Sequence, residues 1–237
     1  DRVIRIDVDP GMAAVNLDGP PALLLSGRAE RLLPALLVRV RAAHSGAGST
    51  GGTGGVRDRG PWARRADTSH AERPWAGLLA GLRAALPATA VVVADNAKAA
   101  YHGAQTGLRV EQPSSYLFPT GFGTLGWAVP AAAGAVLGDP SRPVLALTGD
   151  GGLQFSVAEL ATLRDLHVGV PVVVVDNGGY GEIRDQMIER GDEPVAVDLA
   201  PPTWPELAAA FGRAFTGIAA PSDEPACADE VAAAVTA

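Results

Sequence analysis

The chain has 237 residues, 47% of them hydrophobic and 19% charged, so it carries enough apolar material for a buried core and is not globally disordered. Its net charge of −7 leaves no basic footprint for nucleic acid and no polybasic membrane signal. No apolar run reaches the roughly 18 residues that a membrane span needs, and the lone Cys227, in a polar stretch, excludes an internal disulfide and a multi-cysteine zinc site. A cytoplasmic location is the expectation from these features.

The chain opens directly on the alternating strand Val3-Ile4-Arg5-Ile6-Asp7-Val8, without a methionine, and is expected to be a piece of a longer chain. A Pro/Gly-rich loop at Asp18-Gly19-Pro20-Pro21 and a helix over residues 29–42 follow. The stretch 44–60 is glycine-rich and almost devoid of apolar residues, so residues 44–73 read as a flexible linker between residues 1–43 and a domain over 74–237.

In that domain helices alternate with short, continuously apolar runs. A helix at 75–86 precedes Ala90-Val91-Val92-Val93-Ala94, and one at 124–137 precedes Pro143-Val144-Leu145-Ala146-Leu147. Ser156-Val157-Ala158-Glu159 has the pattern of a capping box opening a helix to 166, before Pro171-Val172-Val173-Val174-Val175. Thr203-Trp204-Pro205-Glu206 opens a further helix, and residues 215–219 read as a last strand. Uniformly apolar strands alternating with helices predict an α/β fold, a doubly wound parallel sheet with helices on both faces. Ligands of such sheets sit beyond the carboxyl ends of the strands.

Two strand ends there share one character. One reads Thr148-Gly149-Asp150-Gly151-Gly152, the other Asp176-Asn177-Gly178-Gly179-Tyr180-Gly181. Asp150 and Asn177 stand 27 positions apart, room for one helix between neighbouring strands. A carboxylate, an amide oxygen and a free carbonyl are hard ligands, suited to Mg²⁺ or Ca²⁺ and poor for zinc or copper. One carboxylate is too little charge for a closed protein cage, so phosphate oxygens would complete the shell, cradled by glycine N–H groups. Either motif alone is an ordinary turn; the pair together calls for a Mg²⁺–diphosphate without a Walker lysine.

The paired motifs resemble the signature of thiamine diphosphate-dependent enzymes, Gly-Asp-Gly followed by Asn-Asn, with Asp176 in place of the first asparagine. The resemblance implies thiamine diphosphate and Mg²⁺ as cofactors, with the metal held by the Asp150 carboxylate, the Asn177 side chain and the Gly179 carbonyl. It further implies cofactor contacts from Gly149, Gly151, Gly152, Tyr180 and Gly181. Gly121-Phe122-Gly123-Thr124-Leu125-Gly126 is similar to a segment of the acetolactate synthase-like branch. By that likeness Gly123 offers its carbonyl to the aminopyrimidine, next to Thr124, and Leu125 bends the cofactor. A dinucleotide reading of the same Gly-x-Gly-x-x-Gly lacks the preceding strand and the downstream acid it requires.

Ile6-Asp7-Val8-Asp9-Pro10 resembles the tail of that family's middle domain. The resemblance then implies that the activating glutamate lies in an absent pyrimidine-binding domain supplied by a second subunit, that the parent is a homodimer or tetramer, and that this chain alone has no turnover. Tyr180-Gly181-Glu182-Ile183-Arg184 and Tyr101-His102-Gly103 look like 2-oxo acid decarboxylases of the 5-guanidino-2-oxopentanoate type, with a small 2-oxo acid as substrate. A carboligase and a non-catalytic or split-subunit cofactor-binding module stand as alternatives. Around the motifs, Asp95-Asn96 reads equally as a helix cap or a diphosphate contact, Arg184 equally as a solvated or a substrate-facing residue, and Trp62, Trp75 and Trp204 as packing residues.

Overall fold

The computed structural model describes residues 4–9, 11, 23–45, 73–200, 202–218 and 225–236. The chain divides into two compact units, residues 1–58 and 59–237. In the first, β1 (Ile4–Asp7) and β2 (Leu23–Ser26) pair in parallel with Ile6 opposite Leu25, and α1 (Ala29–Ser45) follows. The sequence shows no strand signal at β2. Its leucines favour helix by propensity, and pairing with β1 overrides that preference. Positions 46–72 of the expected linker lie outside the described residues, as does Trp62.

The second unit begins with a 3₁₀ turn (Arg73–Trp75) and α2 (Ala76–Ala85). It continues through β3 (Val91–Ala94), a π-helical turn (Ala100–Ala104), β4 (Tyr116–Leu117), α3 (Ala128–Gly138) and β5 (Val144–Gly149). Then come α4 (Asp150–Phe155), α5 (Glu159–Asp165), β6 (Val172–Val175), α6 (Gly181–Glu189), α7 (Trp204–Ala210) and α8 (Pro225–Thr236). The sheet order is β4-β3-β5-β6 and every pair is parallel.

Strand alternation sorts the apolar runs onto two faces. Val92, Ala94, Leu145, Leu147 and Val175 join Leu78, Leu82, Cys227 and Val231 in a core under α2, the π-helical turn and α8. Val91, Val93, Val144 and Ala146 join Ala128, Val129, Ala132, Leu160 and Leu163 in a second core under α3 and α5. Because both faces are covered, strands β3 and β5 contain no outward polar position before Thr148. This is the expected doubly wound parallel sheet.

Three local expectations are corrected. Residues 215–218 of the expected last strand are not a strand, and 219 lies outside the described residues: Phe215 and Ile218 are exposed, and Gly217 interrupts a run too short to pair. The capping box at Ser156 does not form. The Ser156 hydroxyl is buried without a partner, and α5 begins only after Ala158, where no side chain caps it. Cys227, which stands in a polar stretch of sequence, is a buried member of α8, packed in the α2 core. The proline-flanked segment 111–120 also contributes a strand, β4, two residues long at the sheet's edge.

Candidate functional site

Strand β5 ends at Gly149 and runs directly into α4, so Asp150 is the first residue of a helix at the strand's carboxyl end. Strand β6 lies beside it, with Gly149 in register with Val175, and this places the loop 176–180 next to Asp150. The Asp150 side chain is 1% exposed. Its Oδ1 accepts from the Asn177 N–H at 3.4 Å, and its buried Oδ2 has no hydrogen-bond partner. Burial pushes the Asp150 carboxyl above the usual range and Asp176 adds to the effect, while the N–H groups of Asn177, Gly151 and Gly179 oppose it.

The end of the Asn177 amide lies between Asp150 Oδ1 and the Gly179 carbonyl. With its nitrogen inward it donates to Asp150 Oδ1 at 3.3 Å and to the Gly179 carbonyl at 2.9 Å. With its oxygen inward, three acceptors face one another with no donor between them. Oxygens bound side by side on Mg²⁺ at about 2.1 Å lie roughly 3 Å apart, close to the spacing of the Asn177 amide from each of its two neighbours. The residues thus fit a hard cation: an orphaned buried carboxylate oxygen, an amide and a free carbonyl. Among the described residues no three His, Cys, Asp or Glu side chains gather into a cage, so a cation here would take its remaining ligands from outside the protein.

Gly179 sits at φ +134°, and a Cβ there would meet the Val197 carbonyl at 2.1 Å. Only glycine fits, because the segment 197–199 crosses at backbone distance: Tyr180 N–H donates to Val197 O at 2.8 Å and Leu199 N–H to Gly178 O at 3.0 Å. Nothing in the local sequence of 195–199 signals this buttress, since it is set by tertiary contact. Asp176, the departure from the signature, is turned away from the cluster. Its Oδ1 accepts from the Gly178 N–H at 3.1 Å and its Oδ2 from the Trp204 indole at 2.7 Å. Trp204 therefore does more than pack.

An open groove adjoins the cluster. Asp150, Asn177, Gly179, Gly149, Gly151, Gly152, Tyr180, Gly181 and Leu125 all line it, together with Asn96, Lys98, Glu182 and Ile183. Gly123 and Thr124 lie on the exposed loop before Leu125. Lys98, the chain's single lysine, is ion-paired with Asp185. The His102 Nε2 sits 2.8 Å from Glu182 Oε2, and these two pairs tie the start of α6 to residues 98–102.

Asp95 and Asn96 do work that their sequence context does not announce. The Asp95 carboxylate is 1% exposed. Its Oδ2 accepts from Gly126 N–H at 2.9 Å and Thr148 Oγ at 3.0 Å, while its Oδ1 accepts from the N–H groups of Asn96 at 2.9 Å and Trp127 at 3.4 Å. Asn96 Nδ2 donates to the Thr124 carbonyl at 2.8 Å and to Pro119 O at 3.4 Å, and its Oδ1 accepts from the Tyr101 hydroxyl at 2.6 Å. The two side chains clamp the Leu125 loop to the end of β3, and Thr148 ties Asp95 to β5. Gly126 closes that loop at φ +76°, with Phe155 Cβ 2.7 Å from where its own Cβ would stand. The signal available beforehand was a strand-end Asp-Asn pair, but not what it would grip.

A doubly wound parallel sheet whose rim joins one carboxylate, one amide and one free carbonyl to a glycine-lined groove is an α/β domain shaped for a phosphate-bearing ligand. Residues 86–236 match the family profile described as thiamine pyrophosphate enzyme, C-terminal TPP binding domain, and the chain belongs to that family. It is 38% identical over 224 residues to the probable 2-ketoarginine decarboxylase AruI of Pseudomonas aeruginosa, covering 90% of this chain and 37% of that protein. It is 29% identical over 138 residues to the acetolactate synthase isozyme 1 large subunit of Escherichia coli, covering 57% of this chain and 24% of that one. The solved thiamine diphosphate-dependent 4-hydroxybenzoylformate decarboxylase of Rhodococcus jostii RHA1 matches with a TM-score of 0.67 at 25% identity, covering 99% of this chain and 42% of that chain. This chain spans less than half the length of each of these relatives.

Proposed function

We propose that this chain is the diphosphate-binding part of a thiamine diphosphate- and Mg²⁺-dependent 2-oxo acid decarboxylase. The observation that carries the reading is the cluster at the rim: the Asn177 amide within 3.3 Å of both Asp150 Oδ1 and the Gly179 carbonyl, beside a buried carboxylate oxygen with no partner. Asp150, Asn177 and Gly179 would hold the metal, while Gly149, Gly151, Gly152, Tyr180 and Gly181 would line the diphosphate's seat. Leu125 would support the cofactor's bend, with Gly123 and Thr124 beside it. When bound, thiamine diphosphate supplies a nucleophilic carbon and an electron sink for the loss of CO₂ from a 2-oxo acid. The protein's share is to fix the diphosphate, exclude water with Leu125 and Ile183, and hold the groove wall through the Lys98–Asp185 and His102–Glu182 pairs.

Decarboxylation is favoured because the 2-ketoarginine decarboxylase relative aligns over nearly the whole chain. The acetolactate synthase match supports a second reading, carboligation, over a shorter stretch. Residues 1–43 would be the tail of a middle domain. The remaining half of the site would come from a pyrimidine-binding domain of a second subunit in a cytoplasmic homodimer or tetramer. Ile183, which lines the groove, and Phe122 and Phe155 are exposed and suit that contact.

Calorimetric titration with thiamine diphosphate and Mg²⁺, each alone and then together, tests the site. Binding that needs both, and that Asp150→Ala abolishes, is expected; metal-independent binding would refute the cation reading. Product analysis of the complete enzyme separates an aldehyde product from a ligated one.

A further inference from the structure

We infer that Arg184 is a positioning residue for the cation site, stapling together the two arms of the loop that presents Asn177 and Gly179. The inference rests on the metal reading above and extends it to a side chain that touches neither metal nor cofactor. Arg184 lies one turn into α6, which begins as soon as the loop ends. Its Nη2 donates to the Asn177 carbonyl at 3.2 Å and its Nη1 to Asp198 Oδ1 at 2.7 Å. Asp198 stands opposite Gly179 in an isolated antiparallel bridge. One guanidinium therefore grips the outgoing arm at Asn177 and the returning segment at Asp198, with Gly179 between them.

The loop needs such a grip. Gly178 and Gly179 both lie at positive φ, +77° and +134°. Two adjacent glycines leave the free chain many alternatives, and ordering them costs conformational entropy each time a cation binds. A planar fork reaching both arms holds the ligand oxygens in place beforehand, which a flexible ammonium would do poorly.

Charge makes the idea testable by sign. A guanidinium close to a cation site repels Mg²⁺, and the Asp198 carboxylate beside it offsets that repulsion. If Arg184 acted through charge alone, neutralising it would tighten Mg²⁺ binding. If it acts as a staple, the same change loosens binding.

The experiment is titration of Mg²⁺ into the protein with saturating thiamine diphosphate, followed by calorimetry, for the parent, Arg184→Met, Asp198→Ala and the pair. Metal-free thermal unfolding is measured alongside. Each single variant is expected to weaken Mg²⁺ binding by roughly 10-fold or more, in line with other groups that orient metal ligands, with little change in the metal-free unfolding midpoint. Asp198→Ala, which leaves an uncompensated guanidinium, is expected to be the weaker binder. The pair should bind no more weakly than Asp198→Ala alone, since both changes remove one shared interaction. Unchanged or tighter Mg²⁺ binding by Arg184→Met overturns the staple. If Arg184→Met impairs folding, Asp198→Ala decides, because its side chain is 71% exposed; unchanged affinity there also overturns it. A parent protein in which Asp150→Ala leaves Mg²⁺ binding intact would sink the metal reading and this inference together, whereas a damaging Asp150→Ala with silent Arg184→Met and Asp198→Ala sinks the staple only.

Discussion

The two loops that line the groove are held in opposite ways. Loop 176–180 is tied by its own backbone: Gly178 and Tyr180 exchange hydrogen bonds with the segment 197–199, and Asp176 closes on Gly178 and Trp204. Loop 119–126 is held from beneath by two side chains, Asp95 and Asn96, while the tip residue Phe122 is entirely exposed. The cation end is thus built in advance by backbone pairing, with the Arg184 fork fastening its two arms. The Leu125 end is anchored through one buried charge and keeps an apolar tip in the open. A ligand with a highly charged end and a less polar end would meet a rigid seat at one side and an unfinished wall at the other.

The comparison breaks most readily at the buried anchor. Asp95→Ala leaves the N–H groups of Gly126 and Trp127 and the Thr148 hydroxyl without their acceptor, and is expected to cost roughly 3–5 kcal/mol in urea unfolding. A loss below about 1 kcal/mol would mean that the Leu125 loop is held by something else.

The rigid seat is tested next. Asp150→Ala should lower the affinity for Mg²⁺ with thiamine diphosphate by roughly 100-fold or more. A thermal-shift series would then lose the ligand-dependent rise in midpoint that the parent protein shows. The metal-free protein should not be weakened to match, because the deleted carboxylate is buried with one oxygen unpartnered.

A smaller effect, of the other sign, is expected at the sheet edge. The Tyr116 hydroxyl is buried without a partner, and burial raises its pKa above the ordinary phenol range. Tyr116→Phe should stabilise the fold by up to about 1 kcal/mol. Because the folded-state pKa lies above the unfolded one, the parent's stability is full below the unfolded value, near 10, and falls as pH rises beyond it. Unfolding midpoints across that alkaline range should fall less steeply in the phenylalanine variant. A variant that unfolds more readily at neutral pH would contradict the assignment.

The smallest change is expected at the signature's odd residue. Asp176→Asn keeps an oxygen for one of the two donors, Gly178 N–H and Trp204 Nε1, and points away from the cluster. Mg²⁺ affinity should move by less than about 3-fold, a few tenths of a kcal/mol; a larger gain would show that its charge reaches the cation.

Much of this molecule was written locally. The apolar runs at β3, β5 and β6 determined a parallel sheet, because only strands covered on both faces lack polar alternation. Family membership was equally legible, because the paired Gly-Asp-Gly and Asp-Asn-Gly-Gly motifs are short and contiguous. What stayed hidden is non-local. Strands β2 and β4 exist through pairing with their neighbours. The strand expected from 215, absent over 215–218, and the false cap at Ser156 had local patterns that no partner completes.

At the site the same division holds. Sequence alone named Asp150, Asn177, Gly179 and Leu125 as residue types suited to a metal and a cofactor. Only the tertiary structure decided that Asp95 and Asn96 grip the Leu125 loop, that Val197 to Leu199 forces glycine at 179, and that Arg184 is engaged instead of solvated. The reason is physical. A ligand's chemistry belongs to its own side chain and can be read in place. Its position is set by hydrogen bonds to residues 7 to 31 positions away, which one-dimensional spacing does not encode.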